Sequence, residues 1–276
     1  MAIISKTNNG LRSPVSYWGG KAGLVNDILR HAPAKSDFDL FGEAFVGGGS
    51  IFWAMQPSKI ECLNDKSDFI LNFYQQIKTN FAPLSAAINA TLHARSTYDK
   101  CKAIFATPNE YTETERAWAF FILCNQGFVA KMETWGYERK GNAAAKFARK
   151  VDRFLPIYAE RLRNVQLDCG DAVAFVKRYD YERAFFYLDP PYIGTTMSHY
   201  AAYTETDYVE LLDACAKIKG KFMLSSFPTD ILSEYVTENG WRQIEIRQTS
   251  PASNNKSFKT ELLTMNYAAP VHNTLF

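Results

Sequence analysis

Five cysteines stand among 276 residues, an odd number, and no two of them form a Cys-x-x-Cys pair. That excludes the spacing of zinc ribbons and of thioredoxin-type redox sites. Cys62, Cys101, Cys124, Cys169 and Cys215 read as free thiols of a reducing compartment. No run of roughly 18 apolar residues occurs, and residues 1–12 lack the apolar stretch of a signal peptide. A cytoplasmic protein with no membrane partner is expected. Net charge is nearly absent, at +2, so any polyanion site must come from local clustering. Two nucleotide-binding fingerprints are missing as well. Completing G-x-G-x-x-G from Gly47 and Gly49 would need glycine where Phe52 stands, and neither Gly20-Lys21 nor Gly220-Lys221 is followed by Ser or Thr. No His/Cys/Asp/Glu grouping has metal-ligand spacing, so no metal is expected.

What is present is alternation. Apolar residues at helical spacing mark a helix over 21–31, ended by Pro33. A short strand at 38–41, a glycine cluster and a helix at 51–55 follow. A second strand at 59–63 and a helix carrying Phe69, Ile70, Phe73, Tyr74 and Ile77 complete a strand–helix–strand–helix opening, the signature of a parallel sheet. Residues 81–163 read as helix after helix, with Thr112-x-x-Glu115 as a capping box. Alternation resumes with strands at 165–169 and 184–188, a helix over 171–178 between them, and a helix over 205–218 that Gly220 is expected to close. The last strands are 221–225, 241–247 and 261–267; the final two lack an obvious helix between them and are expected to form an antiparallel pair at a sheet edge. The spacing therefore predicts an α/β protein, with a sheet domain over 1–80 and 164–276 interrupted by a helical insertion over 81–163.

The strongest chemical signal is Asp189-Pro190-Pro191-Tyr192, directly after the strand Ala184-Phe185-Phe186-Tyr187-Leu188. Ligands of open α/β sheets sit outside the carboxyl ends of the strands. Each proline fixes its own φ and pushes its predecessor towards extended backbone, so the Asp189 backbone is stiff. Such a loop can offer a carboxylate, a free carbonyl and an aromatic face to a planar ring bearing an amino group. Two acceptors on the amino hydrogens would draw the nitrogen lone pair out of conjugation and towards an electrophile.

Glycines at 47–49 let backbone approach a ligand closely. Asp65 ends the second strand, where an acid commonly holds ribose hydroxyls. Between residues 138 and 153, Arg139, Lys140, Lys146, Arg149, Lys150 and Arg153 face only Glu138 and Asp152, a cluster suited to phosphate contacts. Gly127, Gly136 and Gly141 are interleaved there with Phe128, Trp135 and Tyr137, a loop able to enter a groove. Polar loops at 193–203, with Tyr200 and Tyr203, and at 251–259 are further candidates for closing over a base.

Taken in order, Tyr17-Trp18-Gly19-Gly20-Lys21, the glycine loop and Asp189–Tyr192 resemble the D12 class of N6-adenine DNA methyltransferases, the Dam-like enzymes of α-type motif order. The resemblance spans nearly the whole chain. It implies a Rossmann-like methyltransferase sheet with an antiparallel edge strand, S-adenosylmethionine as cofactor and S-adenosylhomocysteine as its product. It implies that Tyr17, Trp18, Gly20 and Lys21 contact the cofactor and that Glu43, Phe45, Gly47, Gly49 and Ser50 wrap it. By the same resemblance Asp65 binds its ribose, Asp171 and Ala172 meet its adenine, and Asp189, Pro190, Pro191 and Tyr192 form the catalytic loop. Ala44 stands where the family often has proline, and residues 124–147 match the GATC-specific members only loosely, which leaves the recognition sequence open.

The expectation is a monomeric enzyme that methylates adenine N6 in a flipped nucleotide of double-stranded DNA, with Arg139, Lys140, Lys146, Arg149 and Lys150 on the phosphates. A cognate restriction endonuclease is a candidate partner. Cytosine N4 methylation, a catalytically silent DNA-binding homologue and a nicotinamide-dependent oxidoreductase remain as alternatives. No Pro-Cys pair supplies the nucleophile of C5-cytosine enzymes.

Overall fold

The computed structural model describes residues 10–128, 132–193, 203–249 and 258–268. Its frame is a seven-stranded sheet of order β3-β2-β1-β4-β5-β7-β6. In chain order the strands are β1 (Leu40–Glu43), β2 (Ile60–Asp65), β3 (Gln166–Cys169), β4 (Ala184–Leu188), β5 (Lys221–Ser226), β6 (Arg242–Thr249) and β7 (Phe258–Met265). The first five run parallel; β7 is antiparallel to both its neighbours. The antiparallel strand is thus the inner member of the final pair, and β6 forms the edge.

Helices cover the sheet: α1 (Val25–His31), α2 (Ser50–Ala54), α3 (Asp68–Thr79), α4 (Phe81–Asn89), α5 (Arg95–Ala106), α6 (Glu113–Gln126), α7 (Ala143–Asp152), α8 (Ile157–Leu162), α9 (Ala172–Tyr179), α10 (Glu205–Lys217) and α11 (Asp230–Asn239). Every residue of β1 and β4 is buried, as strands sandwiched between helical layers must be. Along β4 the side chains alternate between the two layers. Phe185 and Tyr187 join the core beneath α2, α3 and α6, while Ala184, Phe186 and Leu188 join the one beneath α9 and α10.

The chain steps outward from β1 to β2 to β3, then returns to place β4 on the other side of β1. The loops after β1 and β4 therefore meet at a topological switch point, where an open sheet leaves a crevice. Register brings Glu43 opposite Tyr187, so the glycine loop and the Asp189 loop leave the sheet side by side.

Residues 81–163 carry α4 to α8, and Thr112 and Glu115 cap α6 reciprocally. Their apolar faces do not form a separate core: Leu84, Ile88, Phe121 and Phe154 belong to the same cluster as Phe41, Phe52 and Phe73. One buried ion pair fastens the end of this segment to the sheet. Arg161 on α8 grips both oxygens of Glu61 on β2, with Nη2 donating to Oε1 at 2.7 Å, and its guanidinium lies 4.0 Å from the Phe52 ring centre.

Two sequence expectations need correction. Gly220 does not close α10: Ile218 ends it in extended conformation, and Gly220 has no positive φ. A Cβ on Gly220 would lie 2.5 Å from the Ala184 carbonyl oxygen, so close packing against β4 demands glycine there. Helix α11 was not anticipated, although Thr229 caps its first turn and Gly240 ends it at φ 64°. Among the described residues no helix is long and apolar enough to cross a membrane, and all five cysteines are free.

Candidate active site

The glycine loop owes its shape to a tyrosine. A Cβ on Gly48 would fall 2.7 Å from Tyr17 Cβ, and one on Gly47 2.9 Å from its ring; Gly49 sits at φ 63° against the Tyr74 hydroxyl. The loop is bare because Tyr17 lies across it, and it feeds directly into Ser50 and α2. Asp65 pins the loop from the end of β2: its Oδ2 accepts the Gly47 N–H at 2.9 Å and its Oδ1 the Ser67 N–H at 3.0 Å. Asn64 ties the neighbouring turns together, donating to the carbonyls of Ala44 (2.9 Å) and Gly170 (3.1 Å). Nothing local in the sequence marks Asn64; its role depends on three strand ends converging.

Tyr17, Trp18, Gly20, Lys21, Phe45, Asp65, Asp171, Ala172, Asp189 and Tyr192 all line one cleft at the switch point. Glu43 lines it too, but its Oε2 accepts the Phe52 N–H at 3.0 Å, and burial holds its carboxyl well above the usual carboxylate range. Asp171 caps α9 through the Ala174 N–H at 2.8 Å. Tyr203 also lines the cleft and meets Phe45 edge to face, ring centres 6.1 Å apart. Tyr200 and residues 251–257, suggested by the sequence as closing loops, lie outside the described residues.

At the mouth, Lys21 Nζ donates to Asp189 Oδ1 at 2.6 Å and to the Tyr192 hydroxyl at 3.3 Å. Burial would lower the Lys21 pKa, but Asp189, Tyr192 and Glu261 outweigh it and keep the ammonium charged. Burial pushes the Asp189 carboxyl up to about 6, against the pull of Lys21. Three residues absent from the sequence expectations complete the centre. The Tyr192 hydroxyl donates to Glu261, 3.1 Å from Oε2, the Ser225 hydroxyl donates to Glu261 Oε1 at 2.6 Å, and Phe227 stacks on the Tyr192 ring. Glu261 had one faint sign: a carboxylate at the start of the strand expected over 261–267, directly before Leu262 and Leu263.

Among the described residues the cleft is lined by Asp65, Asp171, Asp207 and Glu210, by Glu43, whose charge burial disfavours, and by the Lys21–Asp189 pair, with Lys66 as the further cation. Such a surface repels a diphosphate and attracts a cation bearing hydroxyls. It fits S-adenosylmethionine, with its sulfonium, ammonium and ribose, and it does not fit a nicotinamide dinucleotide.

A family model described as D12 class N6 adenine-specific DNA methyltransferase matches residues 17–245. The chain belongs to this family.

As a D12-class enzyme it methylates DNA adenine from S-adenosylmethionine. It is 26% identical to the Type II methyltransferase M1.LlaDCHI of Lactococcus lactis subsp. cremoris, over 97% of this chain and 99% of that protein. It is 24% identical to the Type II methyltransferase M.FokI of Planomicrobium okeanokoites, over 95% of this chain but 44% of that larger protein. It is also 24% identical to the DNA adenine methylase of Escherichia coli K12, over 72% of each.

In this D12-class chain the glycine-rich stretch after α6 folds back on itself. Gly127 and Trp135 form an antiparallel bridge, and the Gly136 N–H donates to the Gln126 carbonyl at 2.7 Å. Trp135 rests on His93, ring centres 5.1 Å apart, while Phe128 and Tyr137 are exposed. Of the basic residues read from the sequence, Arg139, Lys140 and Arg149 are exposed. Lys146 is exposed but paired with Glu138, and Lys150 is half-buried.

Proposed function

We propose that this enzyme flips an adenine out of duplex DNA and seats it at the cleft mouth against Tyr192, Asp189 and the Pro190 carbonyl. A base within the stack cannot present its amino group to a cofactor, so extrusion is required at a few kcal/mol. When bound, S-adenosylmethionine supplies an electrophilic methyl group on a sulfonium. Asp189 and the Pro190 carbonyl accept the two N6 hydrogens and turn the nitrogen lone pair towards that methyl carbon. With the cofactor bound, the N–C bond would form as the C–S bond broke, the electron pair leaving on sulfur, and Asp189 would accept the surplus N6 proton. Rate comes from positioning and from acceptors placed where positive charge develops.

Asp65 is suited to the cofactor ribose, the glycine loop to its amino-acid portion, and Phe45 with Tyr203, Asp171 and Ala172 to its adenine. Residues 81–163 serve as the target-reading segment, with Arg139, Lys140 and Arg149 on phosphates and Phe128 and Tyr137 available to the groove. The names of the Type II relatives suggest a companion restriction endonuclease, and the setting is the cytoplasm, where DNA is reached.

The observation that carries this reading is the meeting of Asp189 and Tyr192 at the open end of an acidic, glycine-walled cleft. Its test is transfer of labelled methyl from S-adenosylmethionine to unmethylated DNA followed by nucleoside analysis, with Asp189→Ala alongside. N6-methyladenosine from the parent and none from the variant is the expected outcome; N4-methylcytosine would overturn the base assignment.

A further inference from the structure

We propose that Glu261 is a positioning residue of the methyl-transfer site, the second anchor that receives the Lys21 ammonium when Asp189 turns to the substrate amino group. The inference rests on the reading of Asp189 as the acceptor for N6.

Lys21 is 6% exposed and stands between two carboxylates, 2.6 Å from Asp189 Oδ1 and 3.6 Å from Glu261 Oε1. One ammonium thus serves two acids. The arrangement poses a problem for the reaction. An ammonium 2.6 Å from Oδ1 draws electron density from the Asp189 carboxylate and weakens it as an acceptor for an amino hydrogen, yet a buried ammonium cannot be left without an anion. Among the described residues, these two acids are the carboxylates in ion-pair contact with Lys21. Glu261 therefore provides the alternative seat, about one ångström beyond hydrogen-bond length, reached by a small swing of the lysine head.

Glu261 is itself held firmly. It is 4% exposed, projects from β7 where its register partner is Ile246, and accepts from Ser225 at 2.6 Å and from the Tyr192 hydroxyl. Ser225 comes from β5, so two strands fix the carboxylate while the lysine remains the movable part. Through Tyr192 the same carboxylate also fixes the aromatic face offered to the base. The same carboxylate thus accepts from the Tyr192 hydroxyl and stands within ion-pair distance of Lys21.

Glu261→Gln isolates the charge. The amide retains an oxygen for the Ser225 and Tyr192 hydroxyls but no longer attracts the ammonium, which then stays on Asp189. The single-turnover rate of methyl transfer should fall about 10- to 100-fold, with affinities for S-adenosylhomocysteine and for DNA within about threefold of the parent. The acid limb of the pH–rate profile should move to lower pH. Burial and the Glu261 charge disfavour the charged form of Asp189, whereas Lys21 favours it. In a Lys21→Gln background the same substitution should change the rate by less than about twofold, because the group through which it acts is gone. Glu261→Asp keeps the charge one methylene back; it should lower the rate while leaving the acid limb in place, and it serves if the glutamine variant does not fold. An unchanged rate and pH limb in Glu261→Gln, or an equal loss with and without Lys21, would overturn the inference. A parent enzyme that makes no N6-methyladenosine would overturn the underlying reading instead.

Discussion

The ring of Phe227 lies flat on that of Tyr192, centres 3.9 Å apart and planes 17° from parallel. No base fits between rings so close, so Phe227 backs one face of Tyr192. Phe227 follows β5 immediately, which makes the backing a property of the sheet rather than of a loose loop. Replacing Phe227 with Leu keeps the apolar contact but removes the flat support. The expected result is a roughly tenfold lower single-turnover rate with cofactor affinity unchanged, while Phe227→Tyr stays near the parent. Equal loss in both variants would point to general damage rather than to the stack.

The pH dependence follows from Asp189. Its carboxyl is raised from 3.8 to about 6 by burial, so protonation removes the acceptor in mildly acidic solution. Activity should decline as pH falls through about 6, read as an acid limb in single-turnover rates. Stability runs the other way. Between 3.8 and about 6 the folded chain holds a proton that the unfolded chain releases, so this group's contribution to stability falls as pH rises through that window. Denaturant melts of the parent and Asp189→Asn across the window should differ in pH slope with that sign.

The buried pair of Arg161 and Glu61 should matter for stability and not for chemistry. Both side chains are almost wholly buried, and Arg161 also donates to the Phe52 carbonyl at 3.2 Å. Arg161→Met leaves the Glu61 carboxylate buried without its ion-pair partner, a loss expected near 3–5 kcal/mol in denaturant titration. Glu61→Gln with Arg161→Met together should recover part of it. A loss under about 1 kcal/mol in the single variant would show that water reaches Glu61.

The charges proposed to meet DNA divide into two groups. Arg139 and Arg149 are exposed and have no ion pair among the described residues, whereas Lys146 is engaged by Glu138. Substituting Arg139 or Arg149 with Gln should weaken duplex binding for all sequences alike and lower the salt dependence by about one counterion each. Lys146→Gln should do less. Fluorescence anisotropy over a range of salt concentrations measures both quantities.

Local chemistry made much of this protein readable. The strand 184–188 and the loop after it carry their own pattern, an apolar run halted by two prolines, and the observed β4 has those bounds. The glycine loop and Asp65 were visible for the same reason. Helix α11 was not, because its apolar side buries only Leu232 fully and offers little periodicity, although Thr229 and Gly240 bracket it. Ser225, Phe227 and Glu261 were hidden for a different cause. Ser225 and Phe227 stand at the end of β5 and Glu261 in β7, and their meeting with Tyr192 is a matter of sheet order, which no spacing along the chain records. Lys21 falls between these cases: its motif pointed to the cofactor, and the fold also places its ammonium on Asp189.

The position of β7 bears on how the enzyme comes into being on the ribosome. Lys21 precedes every strand and Glu261 lies in the last, and β7 slots between β5 and β6 instead of adding at the rim. A nascent chain that has completed β6 already owns the cofactor cleft, yet β5 shows an open edge and β6 has no neighbour to join. β7 brings the Glu261 carboxylate to Lys21 and Asp189, and joins β5 to β6. The contact between Lys21 and Glu261 therefore waits on the final strand, and a chain that stops short of β7 leaves the edges of β5 and β6 open to wrong strand partners.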